Sequence, residues 1–418
     1  MKRKNILFLL MSLVLLSSCG SKDYEIIDTT VSNIKVENNV VMPFNTMVTL
    51  RNFSEYEYNK TFQVFEDKIH ELHKLFDRYN SYKDEKGNTI NNLKILNQSY
   101  GSGKALVYDK DLVELVSMSI DLAKLTEGYF NPTLGILIDE WSTYEVNGKE
   151  YSRFTPYCQE ALDIDQLSLS HGLDNIIPYD ELENYLIVDK EKSTIEFKKY
   201  NDKHIVLSLG AIAKGYAIEQ SKKILEEYGF SFMIDGGASS SYGLNKNPNP
   251  DRDYWLVGIS SPYKNILSTP SIATLKFDNT YTLSVSGDYE QSFYFYDENN
   301  NKVLRHHILN PFTGYPENYQ RVVSVKSDSR SDVLDALTTA IFSIESIDKI
   351  TKIIENIEQF YSIDIDFFIE REIDSVNKKV DIYLDEGFKS YVQEYNLKYM
   401  NNEYVIKKGD EQNEEKNN

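Results

Sequence analysis

The 418-residue chain reads as an α+β protein. Three observations predict it. Two stretches carry apolar residues at helical spacing, several short apolar runs sit between turn residues, and strands and helices alternate without regular βαβ repetition. The chain is long enough to bury a large core, as one domain or as two lobes of a single unit.

In chain order, Met1-Lys2-Arg3-Lys4 is followed by an apolar run from Ile6 to Leu16 and then by Leu16-Ser17-Ser18-Cys19. A basic start, a short apolar run and small residues make a secretory signal, too short to span a bilayer. Cys19 stands where bacterial lipoproteins carry their lipid-acceptor cysteine, whereas an uncut anchor is the alternative. The sequence therefore predicts a signal over 1–18, a lipidated Cys19 with a polar tether over 19–38, a folded domain over 39–392 and a polar, disordered tail over 393–418. The expected location is the extracytoplasmic face of the cell membrane, held by acyl chains on Cys19.

Within the domain, Val40–Phe53 alternates as a strand, and Phe62, Phe65, Ile69, Leu72, Leu75 and Phe76 mark a helix over Glu55–Arg78. Asp111–Leu125 is a second helix, followed by the turn-rich stretch Thr126–Gly135. Trp141–Lys203 is polar and broken by Gly and Pro, as small helices and a hairpin would be. Ile205–Leu209 is expected as a strand entering, through Gly210, a helix over Ala213–Tyr228. Strands are expected at Phe232–Ile234, Trp255–Ile259, Ile272–Phe277, Tyr281–Ser286 and Val322–Val325, then a helix over Ser331–Ile344 and strands at Phe367–Phe368 and Val380–Leu384.

Lys and Arg number 45 against 65 Asp and Glu, a net charge of −20, which falls to −23 without the three basic residues of 1–18. That excess of acid argues against nucleic acid and against a polybasic grip on anionic lipid. With Cys19 assigned to lipid, Cys158 has no intrachain partner, so the exported domain relies on its core and not on disulfides.

Four segments hold residue types that a plain core does not favour. In Leu209-Gly210-Ala211-Ile212-Ala213-Lys214-Gly215-Tyr216 a strand end meets a helix start, which attracts phosphate, or is an ordinary turn with a surface Lys. In Asp332-Val333-Leu334-Asp335-Ala336-Leu337-Thr338-Thr339, Asp335 and Thr339 share a helix face suited to a hard cation such as Mg2+. Otherwise Thr339 bonds its own i−4 carbonyl. His306-His307 precedes Ile308-Leu309-Asn310-Pro311-Phe312-Thr313-Gly314-Tyr315-Pro316, and neighbours in a strand face opposite ways, so one His at most faces a site. Ser284-Val285-Ser286-Gly287-Asp288-Tyr289-Glu290, with its acidic pair after Ser-Gly, and Asp235-Gly236-Gly237-Ala238 are binding loops or plain turns. His70 and His73 do not match HExxH and are expected at the surface.

Together and in this order, these segments resemble the ApbE-type FAD:protein FMN transferases. Met42-Pro43-Phe44-Asn45-Thr46, Ser81-Tyr82, Leu96-Asn97 and Thr126-Glu127-Gly128-Tyr129-Phe130-Asn131-Pro132-Thr133 fall where that family has its earlier landmarks. The resemblance implies a two-lobed, T-fold-like catalytic unit that uses Mg2+ to move FMN from FAD onto a Thr or Ser hydroxyl of an exported acceptor protein, releasing AMP. It implies metal ligands Asp335, Thr339 and the Ala211 carbonyl with Thr338 close by, His307 as general base and Asp288 orienting it. It implies FAD contacts at Met42, Tyr82, Tyr129, Phe130, Asn131, Ser208, Lys214 and Ile308. The chain departs from the family at Pro43-Phe44-Asn45, where Gly is usual, and at Ser208 and Asn310, where Asp is usual. Two other functions fit the same residues: an FAD pyrophosphatase, with water replacing the acceptor, and a flavin-binding lipoprotein without turnover.

Overall fold

Nine strands form the main sheet and lie across it in chain order. They are β1 (Ile27–Thr30), β2 (Thr49–Asn52), β3 (Phe232–Asp235), β4 (Ser240–Gly243), β5 (Tyr281–Gly287), β6 (Val322–Ser327), β7 (Asp366–Asp374), β8 (Lys379–Leu384) and β9 (Glu403–Lys408). The pairs are antiparallel as far as β8, and β9 runs parallel to β8. The computed structural model describes residues 27–36, 39–52, 58–154, 159–228, 231–237, 240–249, 251–262, 271–374, 379–395 and 403–408. The signal, Cys19, Ala238 and Cys158 lie outside the described residues.

Strand side chains alternate between the two faces, and the sequence exploits both. Leu50, Ile234, Tyr242, Val323, Val325 and Ile369 belong to a core shared with helices. Leu283, Val285, Val322, Phe368, Ile382 and Leu384 belong to a second core. That core is closed by a three-stranded sheet of Trp255–Ser260, Ser271–Phe277 and Val392–Tyr395. Covered on both sides, β6 is buried at every position.

The helical layer comprises α1 (Tyr58–Phe76), α2 (Lys110–Leu125), α3 (Ala213–Glu226), α4 (Ser331–Phe342) and α5 (Ile347–Tyr361). Phe65, Ile69, Leu72, Leu75 and Phe76 of α1 are buried, as the spacing predicts. Asp109 caps α2 and Ser346 caps α5. α5 adds to the expected helices; its Ile347, Ile350, Ile353, Ile354 and Ile357 form one buried face. α4 is buried almost all round, lying on β5 and β6 and against α3. A smaller lobe forms around Trp141 with Leu137, Ile164, Leu169, Phe293 and Leu309.

Several expectations are corrected. Ile205–Leu209 is not a strand; Val206 alone bridges, to Leu134. The Asn97 side chain takes the place of a neighbouring strand, accepting from Leu207 N–H at 2.8 Å and donating to its carbonyl at 3.0 Å. The expected tether already contains structure: β1 pairs with β2, Arg51 grips Asp28 at 2.7 Å, and Ile34–Val36 pairs with Asn39–Val41. The expected tail supplies most of the strand Val392–Tyr395 and all of β9. Backbone pairing satisfies these edges whatever the side chains, so their polarity misleads. His73 is buried and not superficial; its Nδ1 accepts from the Phe44 amide at 3.2 Å, and burial lowers its pKa. Among the described residues no helix is long and apolar enough to cross a membrane.

α3 and α4 cross at Gly215. A Cβ there would stand 2.2 Å from the Ser331 carbonyl oxygen and 2.6 Å from the Asp335 Cβ. Both neighbours belong to a buried helix that has little room to give. Gly215→Ala is therefore expected to destabilise the fold by about 1–3 kcal/mol, the usual cost of overpacking. Chemical denaturation reads this, and an unchanged midpoint would contradict the crossing.

Candidate active site

The crossing leaves the start of α3 open to a group from α4. Ile212, at the cap position, has no side-chain oxygen to accept the first amides of the helix. Asp335 supplies one instead: its Oδ2 accepts the Gly215 N–H at 2.9 Å and its Oδ1 meets Lys214 Nζ at 3.2 Å. In a helix begun one turn earlier, the Gly215 amide would close on the Ala211 carbonyl. Given to Asp335, it leaves that carbonyl open to another partner.

The two threonines differ. The Thr338 hydroxyl is fully buried, donating to the Asp335 carbonyl at 3.0 Å and accepting from Ser286 Oγ at 2.9 Å. Thr339 donates to the same carbonyl at 3.3 Å and keeps its lone pairs. Both back-bond within α4, so the plain helical reading of Thr339 holds alongside any ligand role.

The adjacent histidines take opposite tautomers. His306 is buried; its Nε2 bonds the Glu317 carbonyl at 3.1 Å and its Nδ1 accepts the Ile308 N–H at 3.3 Å. A carbonyl only accepts, so the proton lies on Nε2. Burial, and then the charge of His307, lower its pKa to about 3. His307 is exposed, with Nδ1 3.3 Å from the Gln291 carbonyl, so the proton lies on Nδ1 and Nε2 is the basic nitrogen. Crowding by surrounding chain lowers its pKa to about 4, and Lys214 contributes to the shift. The imidazole is therefore neutral at neutral pH.

Asp288 does not reach His307. It is buried and bonded to Arg321, which also grips Glu372. Burial pushes the Asp288 pKa up to about 6, against the pull of Arg321. The orienting role expected of Asp288 belongs to the Gln291 carbonyl, a backbone atom that no side-chain pattern announces. Glu370 lies in the same cluster, fully buried, with no hydrogen-bond partner on either carboxylate oxygen among the described residues. Burial, and then Asp288 and Glu372, raise its pKa to about 8.

The expected flavin contacts are dispersed in role. Ser208 donates its amide to the Pro132 carbonyl at 2.8 Å, which sets the α3 junction beside the 126–133 turn. Asn131 is spent bracing that turn, bonding Thr133 within it and the Ile177 carbonyl outside it. Phe130 and Ile308 are core residues. The Tyr82 hydroxyl donates to Asp77 at 2.6 Å. Met42 is exposed and opens the 42–46 turn, where Phe44 (φ 53°) and Asn45 (φ 54°) adopt the left-handed conformation that Gly takes freely. Thr46 of that turn donates to the Gly237 carbonyl at 3.3 Å. A Cβ on Gly237 would lie 1.9 Å from the Thr46 hydroxyl, so this glycine serves the docking of the turn. Tyr129 stands edge-on to Phe312 with ring centres 5.0 Å apart. It lines a cavity of about 600 Å³ with Asn310, Thr313, Lys349 and Arg371.

Among the described residues no three His, Cys, Asp or Glu side chains are grouped as metal ligands. A set of one carboxylate, hydroxyls and a carbonyl is all oxygen and suits a hard cation. The ApbE family model matches residues 42–362. The chain belongs to the ApbE family. It is 27% identical to the FAD:protein FMN transferase of Treponema pallidum over 264 residues, 60% of this chain and 64% of that one. Its identity to the enzyme of the same name from Haemophilus influenzae is 25% over 252 residues, 60% and 65% of the two chains. The match thus spans less than two thirds of the length of these curated relatives.

Among solved structures, the ApbE protein of Thermotoga maritima superposes with a TM-score of 0.63 at 19% identity, covering 88% of this chain and all of that one. The flavin transferase ApbE of Vibrio cholerae gives 0.60 at 17%, with the same coverage. These likenesses establish the α+β architecture of this ApbE-family chain.

The Arg321 cluster beneath the ApbE-family motifs sets a pH dependence. Glu370 stays protonated in the fold up to about pH 8 but ionises near 4.5 when unfolded, so folding stability falls as pH rises between those values. Glu370→Gln removes the penalty. Its stability relative to the parent is expected to climb across pH 5 to 8 and then level off, as read by denaturant melts. A constant difference would show that Glu370 is ionised in the fold.

Proposed function

We propose that this ApbE-family chain transfers FMN from FAD to a Thr or Ser hydroxyl of an exported protein, with Mg2+, and releases AMP. One observation carries the reading. Asp335 meets Lys214 and the Gly215 amide at the start of α3, which leaves the Ala211 carbonyl without its helical donor, and the charge of Lys214 is felt at His307, whose ring is exposed. Oxygen donors, a cation and a neutral base are therefore gathered at a helix start that favours phosphate. The relatives named FAD:protein FMN transferase support the same chemistry.

Asp335, Thr339 and the Ala211 carbonyl would hold the cation, with Thr338 bracing Asp335 from below. When bound, Mg2+ supplies positive charge for the phosphate oxygen that departs with AMP. His307 Nε2 takes the proton of the acceptor hydroxyl as that oxygen bonds the FMN phosphorus and the pyrophosphate bond breaks. The Gln291 carbonyl keeps the proton of His307 on Nδ1, so Nε2 is ready to accept. Lys214 meets a phosphate oxygen. The reading places the protein outside the cytoplasm, tethered by lipid at Cys19, where acceptors in exported electron-transfer proteins are within reach.

The full chain, purified in mild detergent, is incubated with FAD, Mg2+ and a domain bearing an acceptor Thr, and products are followed by mass spectrometry. An acceptor heavier by one FMN, with AMP released, is expected. His307→Ala is expected to slow the transfer by about 10²–10⁴-fold, the usual contribution of a general base. Free FMN with an unmodified acceptor would make the protein a pyrophosphatase; bound, uncut FAD would make it a flavin-binding protein.

A further inference from the structure

We propose that Lys214 is a built-in stand-in for the divalent cation: its ammonium neutralises Asp335 while the cation is absent and is displaced when one binds. The inference rests on the cation site proposed above.

Asp335 is 4% exposed, and a carboxylate so buried is costly without a counter-charge. The Gly215 amide gives it one hydrogen bond but no full charge. The Lys214 ammonium supplies that charge at 3.2 Å, on the oxygen that Gly215 does not use. No other Lys or Arg is paired with Asp335 among the described residues.

The placement of Lys214 is otherwise unfavourable. It is the second residue of α3, where the helix dipole repels a cation. A lysine at that position is tolerated because the carboxylate from α4 faces it. Its side chain is 16% exposed and carries Nζ on a flexible stem that lets it swing away. Leaving Asp335 does not strand it. The same charge is felt at His307, the proposed base, so the ammonium serves one site whether or not it holds Asp335.

Two cations cannot share Asp335 Oδ1 without repulsion, so binding of one opposes binding of the other. An arriving divalent ion keeps the carboxylate neutralised and frees Lys214 for an anionic substrate. Cation binding and substrate binding then become coupled through one side chain. In the metal-free protein the start of α3 lacks this anion-binding group, because Asp335 holds it.

The test measures Mn2+ binding to the full chain in detergent without FAD, by the electron paramagnetic resonance signal of the free ion. Parent, Lys214→Met, Lys214→Gln and Asp335→Asn chains are compared, with circular dichroism to check folding. Both Lys214 variants are expected to bind Mn2+ at least about fivefold more tightly than the parent, the low end of ordinary site-to-site coupling. They are also expected to melt at a lower temperature without metal and to gain more from Mn2+, because only they lack the internal cation. Equal or weaker binding in both variants, with binding still lost in Asp335→Asn, would overturn the stand-in role and leave the cation site intact. Mn2+ binding that ignores Asp335→Asn, or is absent throughout, would remove the cation site and this inference with it.

Discussion

The candidate site depends on one interaction across a helix crossing: the Asp335 carboxylate on the Gly215 amide at 2.9 Å. It needs a glycine at the crossing, since any larger residue would strike the Ser331 carbonyl. It needs a helix start without its own cap, which Ile212 provides. It also needs α4 held firmly, which burial between β5, β6 and α3 achieves. Ser284 and Ser286 put hydroxyls beneath α4 on a central strand, where Thr338 meets them. The polar row would be a liability in a plain core. Here it braces the turn of α4 that carries Asp335.

Around that junction, side chains that could have been alike are given separate tasks by their surroundings. His306 and His307 are neighbours, yet one is sealed in the fold against Phe342 and the other faces outward with its proton fixed by Gln291. Asp335 and Asp288 are both buried carboxylates. Asp335 meets a partly exposed lysine at the start of α3, whereas Asp288 is locked to Arg321 within a crowd of acids. The first arrangement suits exchange of partners; the second suits a fixed scaffold.

Much of this was legible in the sequence. The apolar spacing from Phe62 to Phe76 gives α1, and the runs around Tyr281, Val322 and Val380 give the middle of the sheet. The ApbE-type motifs bring Lys214 and Asp335, 121 positions apart, to one contact. α5 carries an equally plain pattern in its isoleucines. What could not be read has a common cause: partners that are backbone atoms or distant side chains. The Gln291 carbonyl orients His307; Arg321 takes Asp288; Asp77 takes Tyr82; Asn97 imitates a strand beside Leu207. β1 and β9 were hidden because an edge strand needs backbone pairing more than apolar side chains.

In the proposed function the start of α3, faced by Asp335, is where cation and pyrophosphate meet. Crystals grown with Mn2+ and FAD, measured at the manganese absorption edge, test it most directly. The account predicts an anomalous peak bonded to Asp335 and Thr339 oxygens and the Ala211 carbonyl, with FAD phosphates beside it and Lys214 Nζ turned from Asp335 toward them. A peak at any other ligand set, or FAD bound with its phosphates away from α3, would contradict it.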